Sequence, residues 1–237
     1  MEKLKYKRIL LKLSGESLAG TDKYGINSDV LDQFCNQILD TAKLGVEIGI
    51  VVGGGNIFRG INGCKNGFDR VKGDRMGMLA TTINALGIQS RIEQLGGKAK
   101  VLTSTLMEPY GEVFSQRRAI DALQQGHIVI FSGGTGNPFF TTDSAAALRG
   151  IEINADILLK GTRVDGIYTA DPEKDPTATK FDQLSFDQTI EKKLKVMDLT
   201  AFALCSENNL PILVFDINKK ENLKKIVCGE NIGTLVK

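Results

Sequence analysis

Short runs of apolar residues alternate along the chain with longer stretches in which apolar residues recur at helical spacing. The apolar runs predict strands over residues 8–13, 47–52, 99–102, 127–131, 157–160 and 212–215. The amphipathic stretches predict helices over residues 29–44, 77–95, 116–125, 143–149, 186–193, 199–208 and 220–227, with Ser28 as the N-cap of the first. Strands that alternate with helices indicate βαβ units, so we expect an α/β fold with a mostly parallel sheet.

No flexible linker, internal repeat or low-complexity tract divides the 237 residues. We therefore expect one domain over residues 1–237, with two lobes of about 1–155 and 156–237. One segment is rich in proline and aspartate, at residues 168–179 (YTADPEKDPTAT). Its composition predicts the tip of a hairpin or a flap.

Composition and charge exclude several classes of partner. The net charge is +2, which gives no reason to expect nucleic acid or an anionic membrane surface as a partner. The four cysteines, Cys35, Cys64, Cys205 and Cys228, form no C-x-x-C pair, which argues against zinc and for a reducing compartment. No apolar run approaches the roughly 20 residues that span a bilayer, and the basic start does not form a signal peptide. We expect a cytoplasmic protein.

The glycine-rich segment at residues 132–149 carries the strongest chemical signal. Gly133, Gly134 and Gly136 allow positive φ angles and let a ligand approach the backbone. The hydroxyls that follow lead into a helix, whose first turn offers free N–H groups to an anion. The alternative is an ordinary strand-to-helix connection, but Phe139 and Phe140 beside the polar cluster favour a site for a phosphorylated small molecule.

Two earlier strands end in further candidate anion sites. Lys12 interrupts an apolar strand just before Ser14 and Gly15, and a buried lysine needs an anionic partner. The second strand runs into residues 53–55 (GGG), whose N–H groups suit a phosphate, with Arg59 close behind. The alternatives are an edge-strand Lys12 that faces solvent and a purely structural glycine turn. Asp74 alone reads as an ordinary acid at the start of a helix.

Several common active-site motifs are missing from the sequence. It contains no G-x-x-x-x-G-K-[ST] P-loop, no G-x-G-x-x-G fingerprint and no protein-kinase loop. The one histidine, His127, has no nucleophile in a recognisable motif, which argues against histidine-driven acyl transfer. Glycine turns, a strand lysine and isolated aspartates suit phosphoryl transfer, which depends on positioning and charge neutralisation.

Four motifs together resemble the bacterial uridylate (UMP) kinases, which have the amino-acid-kinase fold. They are residues 11–16 (LKLSGE), 53–60 (GGGNIFRG), 134–143 (GTGNPFFTTD) and 196–202 (VMDLTAF). The resemblance implies a three-layer αβα sandwich, with UMP bound by the N-terminal lobe and ATP by the C-terminal lobe. It also implies phosphoryl transfer from ATP to UMP with Mg²⁺, a place in pyrimidine nucleotide biosynthesis and a homohexamer.

The resemblance also implies roles for individual residues. The expected catalytic residues are Lys12, Arg59, Asp143 and Asp198, the two aspartates orienting the lysine or the magnesium; the metal ligands are left open. The expected ATP contacts are Lys12, Leu13, Ser14, Gly15, Gly55, Arg59, Thr162, Tyr168 and Asp171. The expected UMP contacts are Gly54, Asp74, Thr135, Gly136, Asn137, Pro138, Phe139, Phe140, Thr141 and Thr142.

Regulation is a further implication of the resemblance. Relatives from Gram-negative bacteria are activated by GTP and inhibited by UTP. The segment associated with activation matches Gly20, Thr21, Asp22, Lys23, Tyr24 and Gly25. The stretch expected to supply basic GTP contacts instead carries Gln89 and Glu93, although Lys98 and Lys100 remain.

Two other functions stay open at this point. One is a kinase of the same fold that acts on carbamate or an amino-acid carboxylate. The other is a non-catalytic protein that binds nucleotides or stores oxyanions. Phe139 and Phe140 favour a substrate with a base, and the combination of Lys12, Arg59, Asp143 and Asp198 favours catalysis.

Overall fold

The structure is a computed structural model, which describes residues 3–59, 67–194 and 196–237. Gly60, which closes the second motif, and Cys64 lie outside these ranges. Cys35 and Cys205 are buried and form no disulfide with any residue that the structure describes. In the described ranges, no helix is long and apolar enough to cross a membrane.

A single sheet of nine strands runs through the described part of the chain, in the order β4-β3-β5-β2-β1-β6-β10-β11-β9. Neighbouring strands in it are parallel except β10 and β11. Its strands are β1 (Arg8–Leu13), β2 (Glu47–Val52), β3 (Ala99–Thr103), β4 (Glu112–Val113), β5 (Ile128–Ser132), β6 (Ile157–Thr162), β9 (Gln183–Leu184), β10 (Ile212–Asp216) and β11 (Thr234–Val236). Two further strands, β7 (Ile167–Tyr168) and β8 (Lys180–Phe181), pair with each other outside this sheet.

Helices cover both faces of this sheet. The described helices are α1 (Gly15–Ala19), α2 (Ser28–Ala42), α3 (Arg70–Gln94), α4 (Gln116–Gln124), α5 (Thr142–Glu152), α6 (Phe186–Glu191), α7 (Leu199–Glu207) and α8 (Asn222–Val227). Ile9 and Leu11 of β1 pack in one apolar cluster with α2, α3 and α8. Leu10 packs in a second cluster with α4, α5 and α7. The central strand is therefore buried on both faces, as its apolar run predicts, and the expected three-layer αβα sandwich is confirmed.

The predicted start of the long third helix is wrong. The helix begins at Arg70, not at residue 77, and the Asp69 side chain caps it by accepting the Lys72 N–H at 3.1 Å. Gly73 and Gly77 have a low helix propensity, which masks the start of the helix in the sequence, although tertiary contacts keep this first part of α3 helical. Asp74 therefore lies in the second turn of α3, and it is not an ordinary acid at the helix terminus.

Two smaller predictions are also wrong at helix ends. Asn27, not Ser28, caps α2, because its side chain accepts the N–H groups of Asp29 and Val30. Helix α5 continues past Arg149 to Glu152. Gly150 does not end the helix but lets it pack closely on Leu210, since a Cβ at Gly150 would lie 2.9 Å from Leu210 Cδ2.

The prediction of a hairpin tip is confirmed. Strands β7 and β8 pair antiparallel on either side of residues 169–179, with Tyr168 opposite Lys180. The Tyr168 hydroxyl donates to Asp165 Oδ1 at 2.6 Å, which fixes the ring at the base of the hairpin.

Candidate active site

Two lysines and one aspartate meet where the central strands end. Lys12 on β1 and Lys160 on β6 are register partners in the sheet, so their side chains emerge side by side on the same face. Asp143, in the first turn of α5, lies between them. Its Oδ1 is 2.9 Å from Lys12 Nζ, and its Oδ2 is 2.8 Å from Lys160 Nζ. The cluster carries one net positive charge.

Burial decides the electrostatics of this cluster. The three side chains are only 12–15% exposed. Burial raises the pKa of Asp143, but the ammonium groups of Lys12 and Lys160 outweigh it and hold that pKa below the ordinary value of 3.8. Burial also lowers the pKa of Lys160 below 10.5, an effect that Lys12 reinforces and Asp143 opposes. The Asp143 carboxyl group therefore stays ionised more readily than an ordinary aspartate, whereas the Lys160 ammonium loses its proton more readily than an ordinary lysine.

Asp198 holds the start of α5 in place. The hydroxyl of Thr141 donates to Asp198 Oδ2, and the hydroxyl of Ser144 donates to the same carboxylate at 3.2 Å. Asp198 also caps α7 by accepting the Ala201 N–H at 2.9 Å. Thr141 in turn accepts the N–H groups of Asp143 and Ser144 as the N-cap of α5. Asp198 therefore acts on Asp143 through the helix terminus, and it makes no ion pair within the described ranges.

The first two strands end in turns that pack against each other. The Gly53 N–H donates to Leu13 O at 2.9 Å, whereas those of Gly54 and Gly55 donate no hydrogen bond to any residue that the structure describes. The Leu13 side chain is buried in the core, so only its backbone can face a ligand. Arg59 pairs with Glu16 across the mouth of these turns.

A cavity of about 780 Å³ opens at these turns, and we call it the arginine cavity. Ser14, Gly55, Arg59 and Thr162 line it, which brings together residues expected to contact ATP. Gly20 and Lys23 of the segment at residues 20–25 line the same cavity. Gly20 opens a 3-10 turn over Gly20–Asp22, and Tyr24 beyond it is 70% exposed.

The loop between β5 and α5 is held by α3 and by the neighbouring strand. Its Gly133 N–H donates to Thr81 Oγ1 at 2.8 Å, and Ser104 Oγ donates to Gly134 O at 2.5 Å. Thr135 Oγ1 accepts the Asn137 N–H at 3.2 Å, which closes the turn before Pro138.

Asp74 holds the far end of this loop. The Phe139 N–H donates to Asp74 Oδ2 at 2.8 Å, and Arg70 Nε lies 2.9 Å from both carboxylate oxygens. Phe139 has a φ of 71°, a conformation that non-glycine residues rarely adopt, and its ring lies 5.5 Å from the Arg70 guanidinium carbon.

A second cavity of about 340 Å³, the loop cavity, lies against this segment. Residues expected to contact UMP line it: Gly54, Asp74, Thr135, Phe140, Thr141 and Thr142. Gly55 and Arg59 line both this cavity and the arginine cavity. The two cavities therefore meet at the glycine turn.

A third cavity of about 580 Å³, the flap cavity, opens beneath the hairpin. Tyr168, Asp171, Thr162 and Lys160 line it. Thr162 lines the arginine cavity as well, so the flap and arginine cavities adjoin at the end of β6.

Sequence reasoning missed Lys160. The signal was the one that singled out Lys12, a lysine within an apolar strand that must find an anionic partner. Lys160 also donates to Val196 O at 2.6 Å, so its ammonium is fixed on two sides. Thr81 and Ser104, which hold the glycine loop, gave no signal, because a hydroxyl within a helix or just after a strand is common and has no distinctive sequence pattern.

The family of the chain follows from comparison with known proteins. Residues 7–216 match the model of the amino acid kinase family. The chain therefore belongs to that family.

Individual relatives are more specific. Uridylate kinases from Phocaeicola vulgatus and Parabacteroides distasonis are 62% and 64% identical to this chain over 98% of each sequence. The UMP kinase structure from Bacillus anthracis is 38% identical with a TM-score of 0.95, over 98% of this chain and 96% of that chain. The one from Ureaplasma parvum is 35% identical with a TM-score of 0.92, over 99% and 100%. Within the family, the chain groups with the uridylate kinases.

Proposed function

We propose that this chain transfers the γ-phosphoryl group of ATP to UMP and so produces ADP and UDP. Two observations carry the proposal: the Lys12–Asp143–Lys160 cluster near the ends of the central strands, and the glycine turn that lines both the arginine cavity and the loop cavity. Relatives named uridylate kinase, alike over nearly the full chain, support the choice of substrates.

The chemistry requires charge neutralisation more than acid–base catalysis. A phosphate oxygen of UMP is already a nucleophile at neutral pH, so no side chain has to remove a proton from it. The two substrates repel each other by about 4 kcal/mol for each pair of unit charges at 4 Å and an effective dielectric near 20. Lys12, Lys160, Arg59 and the backbone N–H groups of Gly54 and Gly55 offset this repulsion and stabilise the charge on the transferring group.

Asp143 positions the two lysines. Without its carboxylate, two buried ammonium groups would repel each other and turn apart. With it, both are held in fixed directions before the substrates arrive, which lowers the reorganisation required in the transition state. Asp143 thus acts by orienting the ammonium groups.

The oxygen donors fit a magnesium ion that enters with ATP. Both oxygens of Asp143 are already paired with lysines, whereas the Asp198 carboxylate pairs only with uncharged groups among the residues that the structure describes, the hydroxyls of Thr141 and Ser144 and the Ala201 N–H. Magnesium usually binds one or two carboxylates together with substrate phosphates and water. Asp198 is the residue that would hold it, with Thr141 and Ser144 beside it. When bound, the ion supplies positive charge to the phosphates.

Each substrate has its own lobe in this proposal. The N-terminal lobe, at about residues 1–155, holds UMP in the loop cavity against Asp74 and Phe140. The C-terminal lobe, at about residues 156–237, holds the adenosine of ATP in the flap cavity near Tyr168 and Asp171. The triphosphate extends along the arginine cavity towards Arg59, so its γ-phosphate reaches the turn where the cavities meet.

Self-association into a homohexamer belongs to the same proposal. Helix α3 packs on the sheet with one side, and its Leu79 and Ile83 side chains are 54% and 51% exposed on the other. These residues are one turn apart and form an apolar strip that a second copy of the chain can cover. Size-exclusion chromatography with light scattering tests the assembly, and a monomeric mass at micromolar concentration contradicts it.

GTP and UTP are the proposed effectors. The segment at residues 20–25 is close enough to act on the triphosphate site, because Gly20 and Lys23 line the arginine cavity with Ser14. The stretch expected to bind GTP offers little positive charge, because Lys100 is paired with Glu112 at 2.9 Å and the uncharged Gln89 donates a hydrogen bond to Glu93. Titration of each nucleotide at subsaturating ATP tests this regulation, and a flat response to both contradicts it.

The substrate assignment is tested by an ADP-release assay across UMP, CMP, dUMP, carbamate and aspartate. We expect UMP to be the preferred acceptor, because Phe140 and the loop cavity accommodate a nucleoside that the small acids lack. Faster turnover with carbamate or aspartate would move the enzyme to the carboxylate kinases of this fold. No turnover with any acceptor would favour a nucleotide-binding protein without catalytic activity.

A further inference from the structure

A buried pair of asparagine amides lies behind the two glycine turns. Asn56 and Asn84 are 1% and 0% exposed. Asn84 Nδ2 donates to Asn56 Oδ1 at 2.7 Å, and Asn56 Nδ2 donates to Asn84 Oδ1 at 3.0 Å. The second N–H of each amide binds a backbone carbonyl, Gly53 O for Asn84 and Gly25 O for Asn56. All the amide hydrogens of the pair are therefore used.

The turn after β1 rests directly on this pair. A Cβ at Gly15 would lie 2.5 Å from Asn56 Oδ1 and 2.6 Å from Gly53 O, so only glycine fits. Because Gly53 also donates its N–H to Leu13 O, the turns after β1 and β2 are held face to face. The Asn56 amide thus determines how far Ser14 and Gly15 lie from the second turn.

Asn84 connects the same turns to α3. A Cβ at Gly54 would lie 2.8 Å from Ala80 Cβ, so the second turn packs on this helix without a gap. One turn earlier than Asn84, Thr81 accepts the Gly133 N–H from the loop before α5. Helix α3 therefore has one fixed contact with the turns of the arginine cavity and another with the loop of the loop cavity.

Neither asparagine lines the arginine, loop or flap cavity, and all the amide hydrogens of the pair are bound within the protein, so these side chains are not placed to contact phosphate. We infer that Asn56 and Asn84 are positioning residues for phosphoryl transfer: their amide pair sets the spacing of the two glycine turns and aligns both with the acceptor loop through α3. This inference rests on the proposed function, because it assigns the turns to ATP phosphates and the loop to UMP.

The test compares Asn56→Ala, Asn84→Ala and the double variant with Asn222→Ala in the full-length enzyme. Asn222 is a suitable control because it is also buried, at 8% exposure, and its Nδ2 binds a backbone carbonyl, Asp216 O, at 2.9 Å. The measurements are kcat, the KM for ATP, the Kd for UMP by calorimetry and the melting temperature. Asn84→Ser, which keeps one hydroxyl donor, replaces Asn84→Ala if that variant does not fold.

We expect each single variant at the pair to lose about 100-fold in kcat, the cost of a misplacement near 1 Å, while the Kd for UMP changes less than about threefold. The double variant should lose no more kcat than the less active of the two single variants, because the two amides act as one unit. Asn222→Ala should keep the kcat of the unaltered enzyme, even if its melting temperature falls as much as that of the variants at the pair.

Two results overturn the inference. One is a loss of kcat no larger than that of Asn222→Ala at the same folded fraction. The other is additive losses accompanied by an equal weakening of UMP binding. Failure of the proposed function is a separate outcome, because it appears as absence of UMP-dependent ADP release from the unaltered enzyme.

Discussion

Lys160 lies directly opposite Lys12 in the sheet, although nearly two-thirds of the chain separates them in sequence. Adjacent parallel strands place both ammonium groups on one face, where repulsion would be costly without a shared anion. Asp143 supplies that anion from the first turn of α5. The positive charge that phosphoryl transfer needs is therefore assembled because β1 and β6 are neighbours in the sheet, which places Lys12 beside Lys160.

The first prediction concerns Lys12. We expect Lys12→Ala to lower kcat by about 100-fold to 1,000-fold, as for loss of a group that stabilises transition-state charge. UMP affinity changes little, because the ammonium acts on the transferring phosphoryl group. Steady-state kinetics and calorimetry measure the two effects. Lys43→Ala is the control, since this exposed lysine pairs with Asp40 at the surface. Equal losses in kcat and UMP affinity would show that Lys12 only holds substrate.

The second prediction concerns Asp143. We expect Asp143→Asn to lower the free energy of unfolding by about 3 kcal/mol, because two buried ammonium groups lose their counter-ion. Adding Lys160→Met removes one of these charges and should restore part of the stability, although neither variant is active. Chemical denaturation measures the difference, with the exposed Asp40→Asn as control. A double variant less stable than Asp143→Asn would contradict this account of the cluster.

The third prediction is a pH dependence of stability. The folded-state pKa of Asp143 is below its unfolded value of 3.8, so the unfolded chain takes up this proton first as the pH falls. The stabilisation from Asp143 is therefore complete above the unfolded pKa and disappears as the pH drops through the folded pKa. We expect the stability gap between the unaltered protein and Asp143→Asn to close on acidification below about pH 4. A gap that stays constant to pH 2 would contradict the charge assignment.

The fourth prediction concerns Asp74. We expect Asp74→Asn to raise the KM for UMP about 10-fold to 100-fold, since a hydrogen bond to a charged group contributes about 1.5–3 kcal/mol. The variant weakens the contacts to Arg70 and to the Phe139 N–H that hold the loop. The KM for ATP should change little, because the arginine cavity does not include this carboxylate. Asp40→Asn again serves as control, and parallel changes in both KM values would count against separate substrate cavities.

Much of the fold could be predicted from local sequence patterns. The apolar runs gave the six principal strands to within two residues at each end, because strands buried on both faces leave continuous apolar segments. Helix ends were less predictable. Gly150 looks like a terminator, yet it marks close packing on Leu210, and Gly73 and Gly77 obscure the true start of α3.

The site could be predicted only in part. Lys12, Arg59 and the glycine turns carry recognisable local signals. The partnership of Asp143 with Lys160 does not, because it depends on β6 lying next to β1, which no short-range pattern determines. The Asn56–Asn84 pair was also hidden, since each asparagine alone is an ordinary polar residue near a turn or within a helix.

The most direct test is a crystal structure of the enzyme with UMP and a non-hydrolysable ATP analogue. The account predicts Lys12 Nζ within about 3 Å of an oxygen of the γ-phosphate, the length of a charge-assisted hydrogen bond. It also predicts that the two phosphates meet beside Gly54 and Gly55. Phosphates that meet elsewhere, with Lys12 bound to Asp143 alone, would contradict it.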